Sequence, residues 1–261
     1  MSSDFTSLLV KREGAVVSVH LNTPHNGNLV TEEVLDELLS VLEFTHDHPE
    51  IRVLTLAATG EDFCVGADRS EFDRLMAQDP TGAGMRALSS KTRRVCDSLA
   101  STSAVTIARV HGRAIGAGLA LAVFCDLRAG ADTSRFRLPE LAVGLPVAWG
   151  GALPRLLQES GAARTRELVL TGESFDAATA RELSVLHKAV PEAELDGVID
   201  AWIRPLLRRP GTALRTTKAI LSAYSSVARL TDGSLLDGEL LAGALAAHRA
   251  RAAEGGTPGH L

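Results

Sequence analysis

Aromatic side chains make up only 4% of the 261 residues, with a single tyrosine and two tryptophans. A surface on which successive bases stack needs several aromatic faces, so a single-strand nucleic-acid binder is not expected. Basic charge is not in excess either. The formal net charge is −5, the wrong sign for a phosphate-backbone partner. Cysteine is scarce: Cys64, Cys96 and Cys125 are three, an odd number, and no two have metal-ligand spacing. Buried, reduced thiols are the expectation, with no metal. No apolar run reaches the roughly 20 residues that cross a bilayer. The N-terminal MSSDFTSLLVKREG has a short apolar run but neither a basic leader nor the apolar core of a signal peptide. A cytoplasmic protein, with no membrane or nucleic-acid partner, is therefore expected. Familiar catalytic signatures are missing too. There is no G-x-S-x-G and no H-E-x-x-H, and Gly112, Gly116 and Gly118 do not space as G-x-G-x-x-G. His46 and His48 read as a polar helix end rather than a metal pair.

What is present is a chain that is 45% hydrophobic, enough for one large core and possibly a smaller C-terminal lobe. Residues 15–21 (AVVSVHL), 51–57 (IRVLTLA), 104–110 (AVTIARV) and 125–131 (CDLRAGA) read as strands. Between them a helix follows Thr31, a natural N-cap, with Val34, Leu35, Leu38, Leu39 and Leu42 on one face. Further helices are predicted near 85–100 and 116–124. This β-then-α alternation predicts an α/β fold with parallel strands. Beyond about residue 150 the pattern turns helical, near 151–159, 162–170, 176–183, 192–208, 211–224 and 233–252, with only HKAV at 187–190 extended. In the last helix Leu236, Leu240, Leu241, Ala244, Leu245 and His248 share a stripe that suits a core or a second subunit. The final GGTPGHL reads as a frayed tail. The division expected is a core over 1–195 and a helical region over 196–261.

Two glycine-containing turns follow predicted strands: GEDFCVGAD at 60–68 and HGRAIGAG at 111–118. Glycine lets the backbone take unusual angles or approach a neighbour closely. A helix that starts after such a turn presents unpaired N–H groups. Two such turns can aim donors at one developing negative charge, as in an oxyanion hole. Close packing alone is the other reading.

GEDFCVGADRSEF, VHGRAIGAGLALAVFCDLRAG and FRLPELAVGLPVAWGGALPRLL, in that order, resemble the crotonase family of enoyl-CoA hydratases and isomerases. LNTPHNGNL at 21–29 and LVLTGESFDAATARELSVLHKAVPEAEL at 168–195 extend the likeness over nearly the whole chain. The resemblance implies a spiral of ββα units with a helical C-terminal region that builds trimers or dimers of trimers. It implies an acyl-CoA substrate and no cofactor beyond the coenzyme A that the substrate carries. The implied chemistry is a thioester enolate held by two backbone N–H groups, which match Val65 and Ala117. Gly66, Ala67, Asp68, Gly116 and Gly118 accompany them at the substrate, and Trp149 borders the acyl pocket. Losing one such donor costs about 2.7–4 kcal/mol in other enzymes. Asn26, Arg69 and Lys218 are the implied coenzyme A contacts. Residues 69–90 are expected to border the acyl pocket, with Gly82 and Gly84 suggesting mobility.

The chain departs from the family at its carboxylates. Hydratases of the family use two glutamates. The second matches Glu140, while the first falls on Ala120, where a side chain is expected to face the same pocket. Isomerases often carry an acid in the turn that here reads Gly144-Leu145-Pro146-Val147-Ala148, which has none. Asp68 and Asp126 remain, as carboxylates in structural positions. One carboxylate beside an oxyanion hole suits proton movement, hence double-bond isomerisation. Weak hydration and acyl-CoA binding without turnover are the alternatives.

Overall fold

A computed structural model describes residues 5–226 and 236–253. Six strands form the main sheet: β1 (Leu8–Glu13), β2 (Val16–Leu21), β3 (Val53–Ala58), β4 (Val105–Val110), β6 (Leu127–Ala131) and β9 (Lys188–Val190), in the order β1-β2-β3-β4-β6-β9. Only β1–β2 is antiparallel, and the rest of the sheet is parallel. The predicted strands are β2, β3, β4, β6 and β9. β1 was not legible as a strand, because it is an edge strand with Leu8 its one buried residue and no alternation to read.

The central strands read as continuous apolar runs because both faces are covered. All six residues of β3 are buried. Leu54 and Leu56 face the main core with helix α1 (Glu32–Asp47) and helix α3 (Ala83–Ser101). Val53, Val105 and Ile107 face the other way, under Leu195 and Ile199 of helix α8 (Leu195–Arg208). Thr31 caps α1 as expected, its Oγ1 accepting the Val34 N–H at 3.2 Å. The helix predicted near 116–124 is α4 (Ala117–Val123), all seven residues of which are buried.

A second sheet holds β5 (Arg113–Ile115), β7 (Arg135–Arg137) and β8 (Phe175–Asp176), too short to carry a readable period. Helix α2 (Arg69–Gln78) lies in the stretch expected to be mobile. It forms because Asp68 caps its first turn and Phe72 and Met76 anchor one face. The helices α5 (Ala152–Ser160), α6 (Ala162–Thr171), α7 (Ala177–Glu182), α9 (Gly211–Ser226) and α10 (Asp237–Ala253) follow the predicted pattern. The start of the helix expected at 233–252 and the GGTPGHL tail lie outside the described residues. The stripe predicted on that helix divides. Leu241 and Leu245 are buried, and α10 packs on α3 and α2 of its own chain, while Leu236 and Leu240 are exposed.

Candidate active site

β3 and β4 are parallel neighbours, so the turns that leave them emerge side by side at the carboxyl ends of the strands, where open α/β sheets bind ligands. The two turns are laced together. Phe63 N–H donates to His111 O and Cys64 N–H to Arg113 O, each at 3.0 Å, and Ile115 N–H returns to Cys64 O at 3.0 Å. Asp62 accepts Arg113 through its backbone N–H and its guanidinium, at 2.7–2.9 Å. That pairing holds the Asp62 carboxyl below the usual range. Asn28, buried and at φ +57°, donates to Thr59 O and Asp62 O at 2.8 Å and accepts Thr23 N–H. Asn28, Asp62 and Arg113 were not singled out from the sequence. Asp62 and Arg113 are 51 residues apart and nothing local links them.

Packing accounts for part of the glycine pattern. A Cβ on Gly118 would run into the carbonyl oxygen and side chain of Cys64, so glycine there lets α4 start against the first turn. Gly118 therefore works through packing and does not line the cavity. Gly116 has φ +49° and ends the second turn where α4 begins. Ala117 follows as the first helical residue, whose N–H has no intrahelical acceptor. That N–H makes no hydrogen bond among the described residues.

The donor expected at Val65 is corrected. The Val65 N–H donates to Gly27 O at 3.0 Å. The free group of that turn is two residues on. Val30 and Ala67 form a parallel bridge through Val30 N–H to Gly66 O and Asp68 N–H to Val30 O. In such a bridge the N–H of Ala67 points away from its partner strand. It has no acceptor among the described residues. Ala67 and Ala117 line one cavity of about 110 Å³.

Glu140 lines the same cavity, on a single 3₁₀ turn, Glu140–Val143. Its Oε1 lies 3.0 Å from where a Cβ on Gly116 would sit, so the missing side chain makes room for the carboxylate. Its Oε2 is buried with no hydrogen-bond partner among the described residues. Burial raises its pKa above the ordinary glutamate value. The remaining wall is mostly apolar and includes Phe72, Val143, Leu145, Trp149 and Leu241. Trp149 is where it was expected. Phe72 falls in the 69–90 stretch expected to border the acyl pocket, whereas Leu241 was not foreseen, because α10 reaches the cavity only through tertiary packing. Among the described residues, Glu140 and Arg69 are the titratable side chains in the wall.

Other expected residues lie elsewhere. Asp68 is not in the cavity wall. Its Oδ1 accepts the Ser70 N–H at 2.9 Å and the Ser70 hydroxyl at 2.7 Å, capping α2. Ala120 is 1% exposed, packs in the main core and is not among the residues that line the cavity. Lys218 cannot reach solvent phosphates. It is buried, with Nζ 2.7 Å from both Ala104 O and Asp126 Oδ2, and it ties α9 to the start of β4. Asp126 also accepts from Thr106, the structural role read for it. Asn26 sits on the 3₁₀ turn Pro24–Asn26 beside Gly27, with its Oδ1 accepting Leu29 N–H at 3.2 Å. All three cysteines are free and buried, and burial pushes the Cys64 and Cys125 thiols up to about 12. His46 and His48 end α1, and His48 stacks on Phe44. No metal-binding cluster and no helix long and apolar enough to cross a membrane occurs among the described residues.

Residues 11–255 match the family described as enoyl-CoA hydratase/isomerase. The chain belongs to that family. It is 31% identical to a probable enoyl-CoA hydratase of Mycobacterium bovis, over 89% of this chain and 87% of the other. It is 27% identical to a crotonyl-CoA hydratase of Syntrophomonas wolfei, over 82% and 81% of the two chains. Among solved structures, an enoyl-CoA hydratase of Mycobacterium smegmatis superposes with a TM-score of 0.78 at 27% identity, covering 87% and 89%. An enoyl-CoA hydratase/isomerase of Mycobacterium paratuberculosis, 23% identical, shares the fold with a TM-score of 0.84 over 94% and 96%. This enoyl-CoA hydratase/isomerase family member thus has the crotonase-type α/β fold.

Proposed function

We propose that this family member binds a short acyl-CoA, holds its thioester oxygen between the N–H groups of Ala67 and Ala117, and moves a proton with Glu140. The observation that carries the reading is the unpartnered Glu140 Oε2, buried in the cavity that the two acceptor-free N–H groups border. Removing the α-proton of a thioester leaves negative charge on the carbonyl oxygen. Fixed donors already aimed at that oxygen stabilise it with little reorganisation. An apolar wall keeps the carboxylate poorly solvated and therefore a stronger base than in water.

A single carboxylate can take a proton from one acyl carbon and return it to another, so double-bond isomerisation is the favoured reaction. Adding water needs a second group to share activation and protonation, and Glu140 is the one carboxylate in the wall among the described residues. The names of the relatives favour hydration as the second reading. The test offers the purified protein a 3-enoyl-CoA and crotonyl-CoA in parallel. Faster formation of the conjugated 2-enoyl thioester than of the 3-hydroxyacyl thioester is expected. Efficient hydration with no isomerisation would overturn the preference. Binding without either reaction, and without exchange of α-protons in heavy water, would leave only an acyl-CoA binding protein.

A further inference from the structure

α4 is short, wholly buried and contacted at both ends. Its first residue, Ala117, lines the cavity, and its last, Val123, stands about 10 Å away at 1.5 Å per residue. The last carbonyls of a helix have no partner inside it. Here two arginines supply the donors. Arg155 of α5 donates from Nε to Val123 O at 3.0 Å. Arg128 of β6 donates from Nη1 to Val123 O at 3.2 Å and to Cys125 O at 2.9 Å. The other Arg128 donors go to Val185 O at 2.8 Å, Ser184 O at 2.9 Å and Glu159 Oε2. Arg155 Nε also lies 2.7 Å from Glu159 Oε1, and its guanidinium sits over the Phe124 ring.

Arg128 is 3% exposed and the Arg155 side chain 17%. Both guanidiniums pair with the same carboxylate, Glu159, and their remaining bonds to α4 go to carbonyl oxygens at its carboxyl end. A buried charged donor that loses its acceptor costs more than the bond gains. Sliding α4 along its axis would break this set. At the other end Gly118 seats the helix against Cys64. α4 is thus held lengthwise between the first turn and the arginines. Displacing a donor by about 1 Å costs much of its hold on a developing charge.

We propose that Arg155, with Arg128 beside it, is a positioning residue for the Ala117 donor. By fixing the carboxyl end of α4 it keeps the N–H at the amino end on the thioester oxygen. The inference rests on the acyl-CoA reading above and adds the residues that set the strength of one donor. Arg155 is the member to test, because Arg128 also holds Ser184 and Val185.

The experiment uses butyryl-CoA labelled with carbon-13 at the thioester carbonyl, at saturating concentration. Isotope-edited infrared spectroscopy reads the carbonyl stretch, and NMR reads α-proton exchange in heavy water. Wild type should lower the stretch below that of free butyryl-CoA. Arg155→Met should give back part of that shift and slow exchange by about 10-fold to 100-fold with the probe still bound. Arg155→Lys keeps the charge and loses the guanidinium fork. It should move both readouts in the same direction by less, and it carries the test where Arg155→Met does not fold. Ile199→Ala, in the second core cluster, should lower Tm and leave both readouts at wild-type values. A folded Arg155→Met with the wild-type stretch and exchange rate would overturn the proposal and leave the acyl-CoA reading intact. An equal change in Ile199→Ala would also overturn it, by making the effect one of general loosening. A wild type that neither shifts the stretch nor exchanges protons would overturn the acyl-CoA reading and this inference with it.

Discussion

Glu140 is the residue whose chemistry depends most on its surroundings. Its carboxyl is pushed up by burial, so it takes its proton at a higher pH than an exposed glutamate. As a base it must be ionised. Alpha-proton exchange should therefore begin to fall, on acidification, above the pH at which an ordinary carboxylate titrates. Glu140→Gln should keep acyl-CoA affinity and slow exchange by roughly 10²–10⁴-fold. A pH–rate profile of wild type and an exchange measurement by NMR check both. The stability effect has a definite sign. A folded-state pKa above the unfolded value means that ionisation opposes folding, and the penalty is absent below the unfolded pKa. Glu140→Gln should thus melt higher than wild type at neutral pH. The difference should shrink as the pH falls toward the ordinary glutamate range, near about 4.3.

At the level of elements, the start of α4 is where packing and chemistry meet. Ala117 is its first residue, a position at which proline is tolerated because no helical hydrogen bond is lost there. Ala117→Pro should remove the proposed donor while leaving the helix in place. Exchange should fall by about 10²–10³-fold with far-UV circular dichroism unchanged. Gly118 serves the contact with Cys64 instead. Gly118→Ala should force α4 from the first turn and destabilise the fold by about 1–3 kcal/mol, read as a lower urea midpoint. The two substitutions lie side by side in sequence and are expected to separate, one affecting turnover and the other stability.

At the level of the whole molecule, the helices beyond β9 return to the sheet. α8 closes one face, and Lys218 and Asp126 pin α9 to β4. They still leave apolar side chains outside. Ile220, Leu221 and Tyr224 of α9 are 51%, 63% and 77% exposed, and Leu236 and Leu240 are also exposed at the start of the last helix. Ile220, Leu221 and Tyr224 are neighbours by helical spacing on α9, in the region expected from the family resemblance to join subunits. We expect a trimer or a dimer of trimers, with a mass from light scattering at micromolar concentration of three or six times that of one chain. A monomer would show that this face has another use.

The β-then-α alternation of the first half, the helical second half and the two glycine turns were all legible along the chain. Each rests on local periodicity or on a backbone that glycine frees, and both act over a few residues. Glu140 and Ala117 could be named because they sit in recognisable stretches. The donor in the first turn could not be placed to the residue. Whether Val65 or Ala67 is free depends on which backbone face meets Gly27 and Val30, segments more than 30 residues upstream. Lys218 looked like a surface cation because its partners, Ala104 and Asp126, come from distant strand ends. Phe72, Arg69 and Leu241 gained a shared cavity only when α2 and α10 packed beside the turns. The sequence by itself determined the parallel strands of the main sheet, the helices and the glycine turns, while β1 and the short strands β5, β7 and β8 emerged only from pairing. Tertiary structure alone decided which N–H groups stay unpaired, which charges are neutralised and which side chains bound the site, because those depend on contacts between residues far apart in the chain.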